Sequence, residues 1–118
     1  MKYSIKENVG PNGITLQDGQ KVYEIIYPEL QGKREVELDF AEVRIVASPF
    51  LNAAIGQLLR DISPSDLNQY LKIKNLSQVS RPILKRVIEN AKEYYANEDV
   101  QKAVEEALAK EANDSDVD

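Results

Sequence analysis

Residues 35–56 read EVELDFAEVRIVASPFLNAAIG, and they carry the clearest structural signal in the chain. Apolar residues alternate with acidic ones over residues 36–40, which is the pattern of a strand with one buried face. Residues 43–46 are again apolar after a brief polar break and predict a second, shorter strand. The apolar residues after Pro49 lie on more than one helical face. This stretch therefore predicts a strand, a short strand and a largely buried helix over residues 49–61.

Ser48 and Pro49 mark the start of that helix. Serine is a favoured N-cap residue, and the fixed φ of proline suits the first helical position. As a cap, the Ser48 hydroxyl would contribute about 1 kcal/mol to stability. A phosphate on the same hydroxyl would instead add about −1.5 to −2 charges beside the positive end of the helix dipole. The sequence leaves both roles open, a structural cap and a phosphorylation switch.

The segment that precedes this stretch predicts a strand, a turn and a helix. Residues 3–9 alternate between polar and apolar side chains, and residues 10–13 are rich in turn formers. Residues 14–16 could add a strand that closes a hairpin, but a helical interpretation competes with it. We favour a helix over residues 19–31, because apolar residues recur there at helical spacing.

The helix over residues 19–31 has signals at both of its ends. Thr15 or Asp18 can cap its N-terminus, and Gly32 can end it. The apolar stripe of this helix consists of Val22, Ile25, Ile26 and Leu30.

Downstream, the pattern predicts a short helix, a strand and a long helix. Ser63 followed by proline repeats the start signal of a helix, which continues through Tyr70. Alternation over residues 71–76 predicts a strand. Apolar residues at helical spacing then predict the long helix, which begins near Ser77 or Ser80.

The order of these elements predicts an α/β domain over residues 1–96. Right-handed crossovers would join about four strands into a small sheet with helices packed on it. Residues 97–111 predict a C-terminal helical extension, whose stripe over 98–111 is narrow and rich in alanine. Such a stripe often needs a partner helix, so the alternative function is a structural component that forms a homo-oligomer through these helices. Residues 112–118 form an acidic tail, for which we predict disorder.

Composition excludes several classes of function. The chain has 118 residues, which suits one domain, and it contains neither Cys nor His. These absences remove thiol nucleophiles, thiolate and imidazole metal ligands and the commonest general base. We therefore expect no catalytic residue, no metal site and no cofactor. No segment approaches the roughly 20 apolar residues of a membrane span, and no secretory signal is recognisable, so we expect a cytoplasmic protein.

The charge distribution argues against nucleic acid as a partner. The net charge is −5, but Glu111, Asp114, Asp116 and Asp118 supply four negative charges in the last eight residues, so the rest of the chain is close to −1. A nucleic-acid binder normally presents a basic face that neutralises phosphates. Here the cations are spread among a larger number of acids, and we expect no nucleic-acid binding.

Two pairs of residues have both a functional and a structural interpretation. Asp39 and Glu42 would be catalytic carboxylates only if a pocket joined them, and turn capping on a solvated surface is the simpler interpretation. Tyr94 and Tyr95 could form part of a partner-binding face, although Tyr95 is more simply the core end of the long helix. The glycines do not have the spacing of a dinucleotide or phosphate-binding loop.

The motifs LDF over residues 38–40 and SPFLN over residues 48–52 resemble the STAS domain of bacterial anti-anti-sigma factors. They resemble even more the STAS-like family of uncharacterised bacterial proteins. The resemblance covers about residues 2–95. It implies a non-catalytic regulatory module that binds a protein, with a histidine-kinase-like ATPase of the anti-sigma type as the candidate partner.

The resemblance also implies which residues carry the function. Ser48 lies where anti-anti-sigma factors carry the serine that a partner kinase phosphorylates. The residues expected to bind the partner are Asp39, Ala47, Ser48, Pro49, Phe50 and Asn52.

Overall fold

A computed structural model describes residues 1–96 together with Glu106 and Ala107. Short strands and helices alternate along the first 96 residues. In chain order they are β1 (Lys2–Ser4), α1 (Ile5–Asn8), β2 (Asn12–Gly13), α2 (Leu16–Gln31), β3 (Val36–Asp39), β4 (Ile45–Val46), α3 (Ser48–Ala54), a 3₁₀ helix (Gly56–Arg60), α4 (Pro64–Tyr70), β5 (Leu71–Lys74) and α5 (Arg81–Ala96).

The described strands form two parallel sheets. β3 lies between β1 and β5 in a three-stranded sheet, and β2 pairs with β4 in a two-stranded sheet. The α/β class is confirmed, but the single sheet of about four strands that we predicted does not form. The reason is that residues 45–46 pair with residues 12–13 instead of adding to β3.

The three-stranded sheet has one apolar face. Leu38 is buried in the central strand, and the register places Tyr3 on one side of it and Ile73 on the other. Glu37 and Asp39 alternate with the buried residues and face the other way, as the sequence pattern predicts. The core lies on the apolar face, where α2 packs against β3 and α3 packs between α2 and α5.

The N-terminal strand is shorter than predicted. The pattern over residues 3–9 indicates strand, but β1 ends at Ser4 and α1 begins at Ile5. The Ser4 hydroxyl accepts a hydrogen bond of 3.2 Å from the backbone N–H of Glu7. A serine that caps a turn in this way competes with continued strand pairing. Ile5 is fully buried, so the turn also places an apolar anchor in the core.

The helix predicted over residues 19–31 begins three residues earlier, at Leu16. Thr15 is its N-cap, and the Thr15 hydroxyl accepts a hydrogen bond of 3.1 Å from the backbone N–H of Asp18. Gly32 is the C-cap, as predicted. The competing interpretation of residues 14–16 as a hairpin strand is therefore wrong.

The later helices agree with the sequence signals except at one boundary. The helix predicted over residues 49–61 is divided into α3 and the 3₁₀ helix. Ser63 caps α4, because its hydroxyl accepts a hydrogen bond of 3.1 Å from the backbone N–H of Asp66. α5 begins at Arg81, directly after Ser80, as predicted.

The C-terminal extension lies mostly outside the described residues. Glu106 and Ala107 are helical and exposed, while the rest of residues 97–111 and the acidic tail 112–118 are not described. Homo-oligomerisation through this extension therefore stays a prediction. In the described part of the chain, no helix has both the length and the apolar character needed to cross a membrane.

Candidate functional site

Ser48 is exposed at the first residue of α3. The N-cap position belongs to Ala47, which has no polar side chain and makes no capping hydrogen bond. The predicted capping role of Ser48 is therefore wrong, because α3 begins one residue earlier than the sequence indicates. The Ser48 side chain has no part in ending or starting the helix and lies at the surface.

Two glycines fix the surroundings of Ser48 by packing against Phe50. The ring of Phe50 lies 3.1 Å from the position that a Cβ on Gly13 would take. The backbone carbonyl of Phe50 occupies the place of a Cβ on Gly19. Gly13 lies in β2 and Gly19 in the first turns of α2, so the chain between them runs alongside the start of α3.

An exposed apolar surface results from this arrangement. Ile14 is 43% exposed, Leu16 57% and Ile45 51%. Val46 is buried in β4, so the alternation of a strand directs its neighbours Ile45 and Ala47 outward. We call this region the α3 N-terminal surface and define it by Ile14, Leu16, Ile45, Ala47, Ser48 and Pro49.

Phe50 does not belong to that surface. Its side chain is completely buried, with 0% exposure. The expectation that Phe50 contacts a partner directly is therefore wrong. The ring is held beneath Gly13 instead, where it supports the surface from inside the core.

Asp39 joins two loops at the carboxyl ends of β3 and β5. Its carboxylate accepts a hydrogen bond of 2.8 Å from the side-chain amide of Asn75 and another of 2.9 Å from the backbone N–H of Ala41. These two donors, Asn75 first, lower the pKa of Asp39 below its usual value. The carboxylate therefore has the turn-capping role that the sequence suggested as the simpler interpretation.

Glu42 is held by a different partner. Its carboxylate forms an ion pair of 2.9 Å with the ammonium group of Lys6. That hydrogen bond, with the positive charge of Lys6, lowers the pKa of Glu42. Asp39 and Glu42 thus make separate interactions rather than forming one carboxylate pair. Among the described residues, no group of three or more acidic side chains could hold a metal ion.

Asn52 and the tyrosine pair Tyr94-Tyr95 meet in a cleft. The cleft lies between α5 on one side and α3 with the 3₁₀ helix on the other, and its volume is about 390 Å³. The rings of Tyr94 and Tyr95 form an edge-to-face pair with centroids 4.8 Å apart. Both rings are half-buried, and Tyr95 also packs against the core. The polar and glycine residues of the lining are Asn52, Gly56, Gln57 and Asn90.

A family model described as a STAS-like domain of unknown function (DUF4325) matches residues 18–81. This match covers more than half of the chain. The chain belongs to this STAS-like family. The resemblance noted in the LDF and SPFLN motifs is thereby confirmed. No curated protein and no solved structure matches the chain.

The STAS-like match does not include every residue of the surface described above. It begins at Asp18, so Ile14 and Leu16 lie before it, as does β2, whose residues pair with β4 inside the match. The N-terminal segment therefore completes the α3 N-terminal surface of this STAS-like domain.

Sequence reasoning missed Ile14, Leu16 and Ile45 as surface residues. Ile45 could have been found, because successive side chains of a strand point to opposite faces. In a strand as short as Ile45–Val46, one of the two apolar side chains must face outward. Ile14 and Leu16 had no comparable signal, since residues 14–16 had both a strand and a helix interpretation.

Proposed function

We propose that this STAS-like domain is a non-catalytic, regulatory protein-binding module whose partner docks on the α3 N-terminal surface. The observation that carries the proposal is the exposure of Ile14, Leu16 and Ile45 around Ser48. Isolated exposed aliphatic residues are common, but three large ones at the paired strands β2 and β4 and the start of α2 favour an interaction site. Covering each of them would contribute roughly 1–2 kcal/mol to binding.

The composition of the surface suggests the chemistry of the partner. Exposed apolar side chains lie near the Ser48 hydroxyl, so a matching surface would be largely apolar with a polar group opposite Ser48. We propose a histidine-kinase-like ATPase of the anti-sigma type as the partner, on the basis of the resemblance. Such a partner would supply both the docking surface and the phosphoryl group.

Phosphorylation of Ser48 would act as the switch. A phosphate would add about −1.5 to −2 charges to an apolar surface, and burying that charge beneath a partner is costly. The exposure of Ser48 supports this role, since the hydroxyl is accessible from solvent. In this proposal the unmodified domain binds its partner and the phosphorylated domain is released.

The test is the affinity of the candidate ATPase for matched variants of the chain. Ile45→Ser and Ser48→Asp should weaken binding about tenfold or more, because each introduces polar or charged character into the contact. Ser48→Ala should keep the affinity of the wild type. Ile25→Ser is the control, since Ile25 is 48% exposed on α2, about 13 Å along the helix from Leu16. Equal affinity for the wild type, Ile45→Ser and Ser48→Asp would refute the proposal.

A further inference from the structure

The cleft between α3 and α5 continues the α3 N-terminal surface. Asn52 lies four residues after Ser48, so the two exposed side chains share one face of α3. Asn52 also lines the cleft. A partner that covers Ser48 therefore reaches the mouth of the cleft within one helical turn.

Gly56 lies at the floor of the cleft and is buried. Val87 Cγ1 lies 3.3 Å, and Asn52 Oδ1 3.6 Å, from the position that a Cβ on Gly56 would take. A side chain at this position would rise between Asn52 and the wall formed by α5. Gly56 therefore lets α5 pack closely against the 3₁₀ helix beneath the cleft.

Among the residues that the structure describes, the lining consists of amides, tyrosines, Gly56 and Ala91 and includes no charged side chain. The amide of Gln57 is engaged inside the protein, where it donates to Gln20 Oε1 and to the carbonyl oxygen of Ala53. Asn52 and Asn90 lie on opposite walls and are exposed. These two amides therefore face the solvent side of the cleft, next to the rings of Tyr94 and Tyr95.

A side-chain amide presents a donor and an acceptor in the same arrangement as a peptide group. Two such amides can pair with the N–H and C=O groups of an extended peptide. Tyrosine adds a large, rigid contact surface and a hydroxyl at small entropic cost. The described lining residues offer no ion pair to a charged ligand, so the segment that fits them should be uncharged.

We infer that this cleft binds an extended, uncharged peptide segment of the partner, held through its main chain by Asn52 and Asn90. The inference rests on the proposed function, since it assigns the same partner a second point of contact. A peptide suits the site better than a small metabolite, because metabolite sites usually enclose most of the ligand. This cleft has exposed side chains in its lining, and Asn52 links it to the docking surface.

The test begins with random linear peptides displayed on phage and selected on the full chain. The tightest binder is then synthesised and its affinity is measured for the wild type and for Asn90→Ala. Loss of the Asn90 amide should weaken binding about tenfold. Asn68→Ala is the matched control, because Asn68 is an exposed amide on α4 outside the cleft, and it should bind like the wild type.

Two further measurements address the mode of binding. The side-chain amide signals of Asn52 and Asn90 in NMR spectra should shift when the peptide is added. Methylation of the peptide's main-chain nitrogen at the contacted position should weaken binding about tenfold, because it removes the donor. Binders that leave both amide signals unmoved, or that keep their affinity for Asn90→Ala, would overturn the inference, and so would the absence of any selected peptide.

The partner protein separates this inference from the proposed function. If Ile45→Ser weakens binding of the partner protein and Asn90→Ala does not, the proposed docking surface is correct and the cleft is not part of the interface. If Asn90→Ala weakens binding of the partner protein and Ile45→Ser does not, the cleft binds the partner. Docking on the α3 N-terminal surface is then refuted.

Discussion

The carboxylate of Asp39 accepts a hydrogen bond of 2.8 Å from the side-chain amide of Asn75, which lies 36 residues further along the chain. Asp39 ends β3, and Asn75 directly follows β5. The backbone of Asn75 has a φ of 60°, in the left-handed region that asparagine tolerates better than most residues. This bond therefore fastens two neighbouring strands at their carboxyl ends.

The Asp39 interaction should make stability depend on pH. Its pKa is lowered in the folded protein, so its contribution is present above the usual value of 3.8 and is lost as the pH falls through the folded pKa. We expect Asp39→Asn to unfold at a lower temperature than the wild type at neutral pH, with a difference that shrinks in acid. Thermal unfolding at a series of pH values measures this.

The matched control for Asp39→Asn is Glu89→Gln, which also removes one negative charge and lies at an exposed position of α5. Its unfolding temperature should differ from the wild type by a smaller and less pH-dependent amount. A difference between Asp39→Asn and the wild type that stays constant from neutral to acidic pH would contradict the role assigned to the carboxylate.

Gly19 is required for the contact between α2 and α3. The carbonyl oxygen of Phe50 and the Cβ of Ala53 occupy the space of a side chain there. A glycine-to-alanine change inside a helix normally stabilises a protein by about 1 kcal/mol. Gly19→Ala should instead destabilise this protein by about 1–3 kcal/mol, because the new methyl group forces α3 away from α2. Chemical denaturation of the wild type and of Gly19→Ala shows whether the substitution raises or lowers the free energy of unfolding.

Gly32→Ala provides the comparison for Gly19→Ala. Gly32 has a φ of −79°, and the three atoms nearest to its missing side chain belong to the guanidinium of Arg34, an exposed group that pairs with Glu29. The free energy of unfolding of Gly32→Ala should differ from that of the wild type by less than about 1 kcal/mol. A Gly19→Ala variant as stable as the wild type would mean that α2 and α3 are packed less closely than described.

The elements that could be predicted from sequence are those set by local interactions. The alternation around Leu38 and the serine cap at Ser63 require only neighbouring residues, and both predictions are confirmed. The pairing of Ile45–Val46 with Asn12–Gly13 could not be predicted, because it joins residues more than 30 positions apart through backbone hydrogen bonds. The same holds for the contact between the Phe50 ring and Gly13, which joins residues 37 positions apart.

The end of α2 has its left-handed residue at Lys33, not at Gly32. Lys33 has a φ of 58°. Arg34 N–H donates to the carbonyl of Glu29 at 2.9 Å, and Lys33 N–H donates to that of Leu30 at 3.0 Å. This pair of hydrogen bonds defines a Schellman motif, whose left-handed position is most often glycine.

Lys33→Gly should therefore raise the free energy of unfolding by about 0.5–1 kcal/mol, because glycine adopts this conformation without steric cost. Lys21→Gly is the control inside the same helix and should lower stability by about 1 kcal/mol. Urea denaturation of the two variants compares them directly. If both substitutions destabilise to the same extent, Lys33 has ordinary helical geometry.

Ser48 and Ser63 each precede a proline at the start of a helix, yet only one of them is a cap. The Ser63 hydroxyl accepts a hydrogen bond from Asp66, whereas Ser48 is the first residue of α3 and Ala47 occupies the cap position. Ser63→Ala should thus lower the free energy of unfolding by about 1 kcal/mol. Ser48→Ala should change it by less than about 0.5 kcal/mol, as expected for an exposed residue that makes no capping bond. Denaturation of both variants under one set of conditions decides between the two roles of Ser48. Equal losses in the free energy of unfolding would mean that Ser48 is a cap after all. A smaller loss for Ser48→Ala than for Ser63→Ala leaves the Ser48 hydroxyl available for a partner or a phosphate.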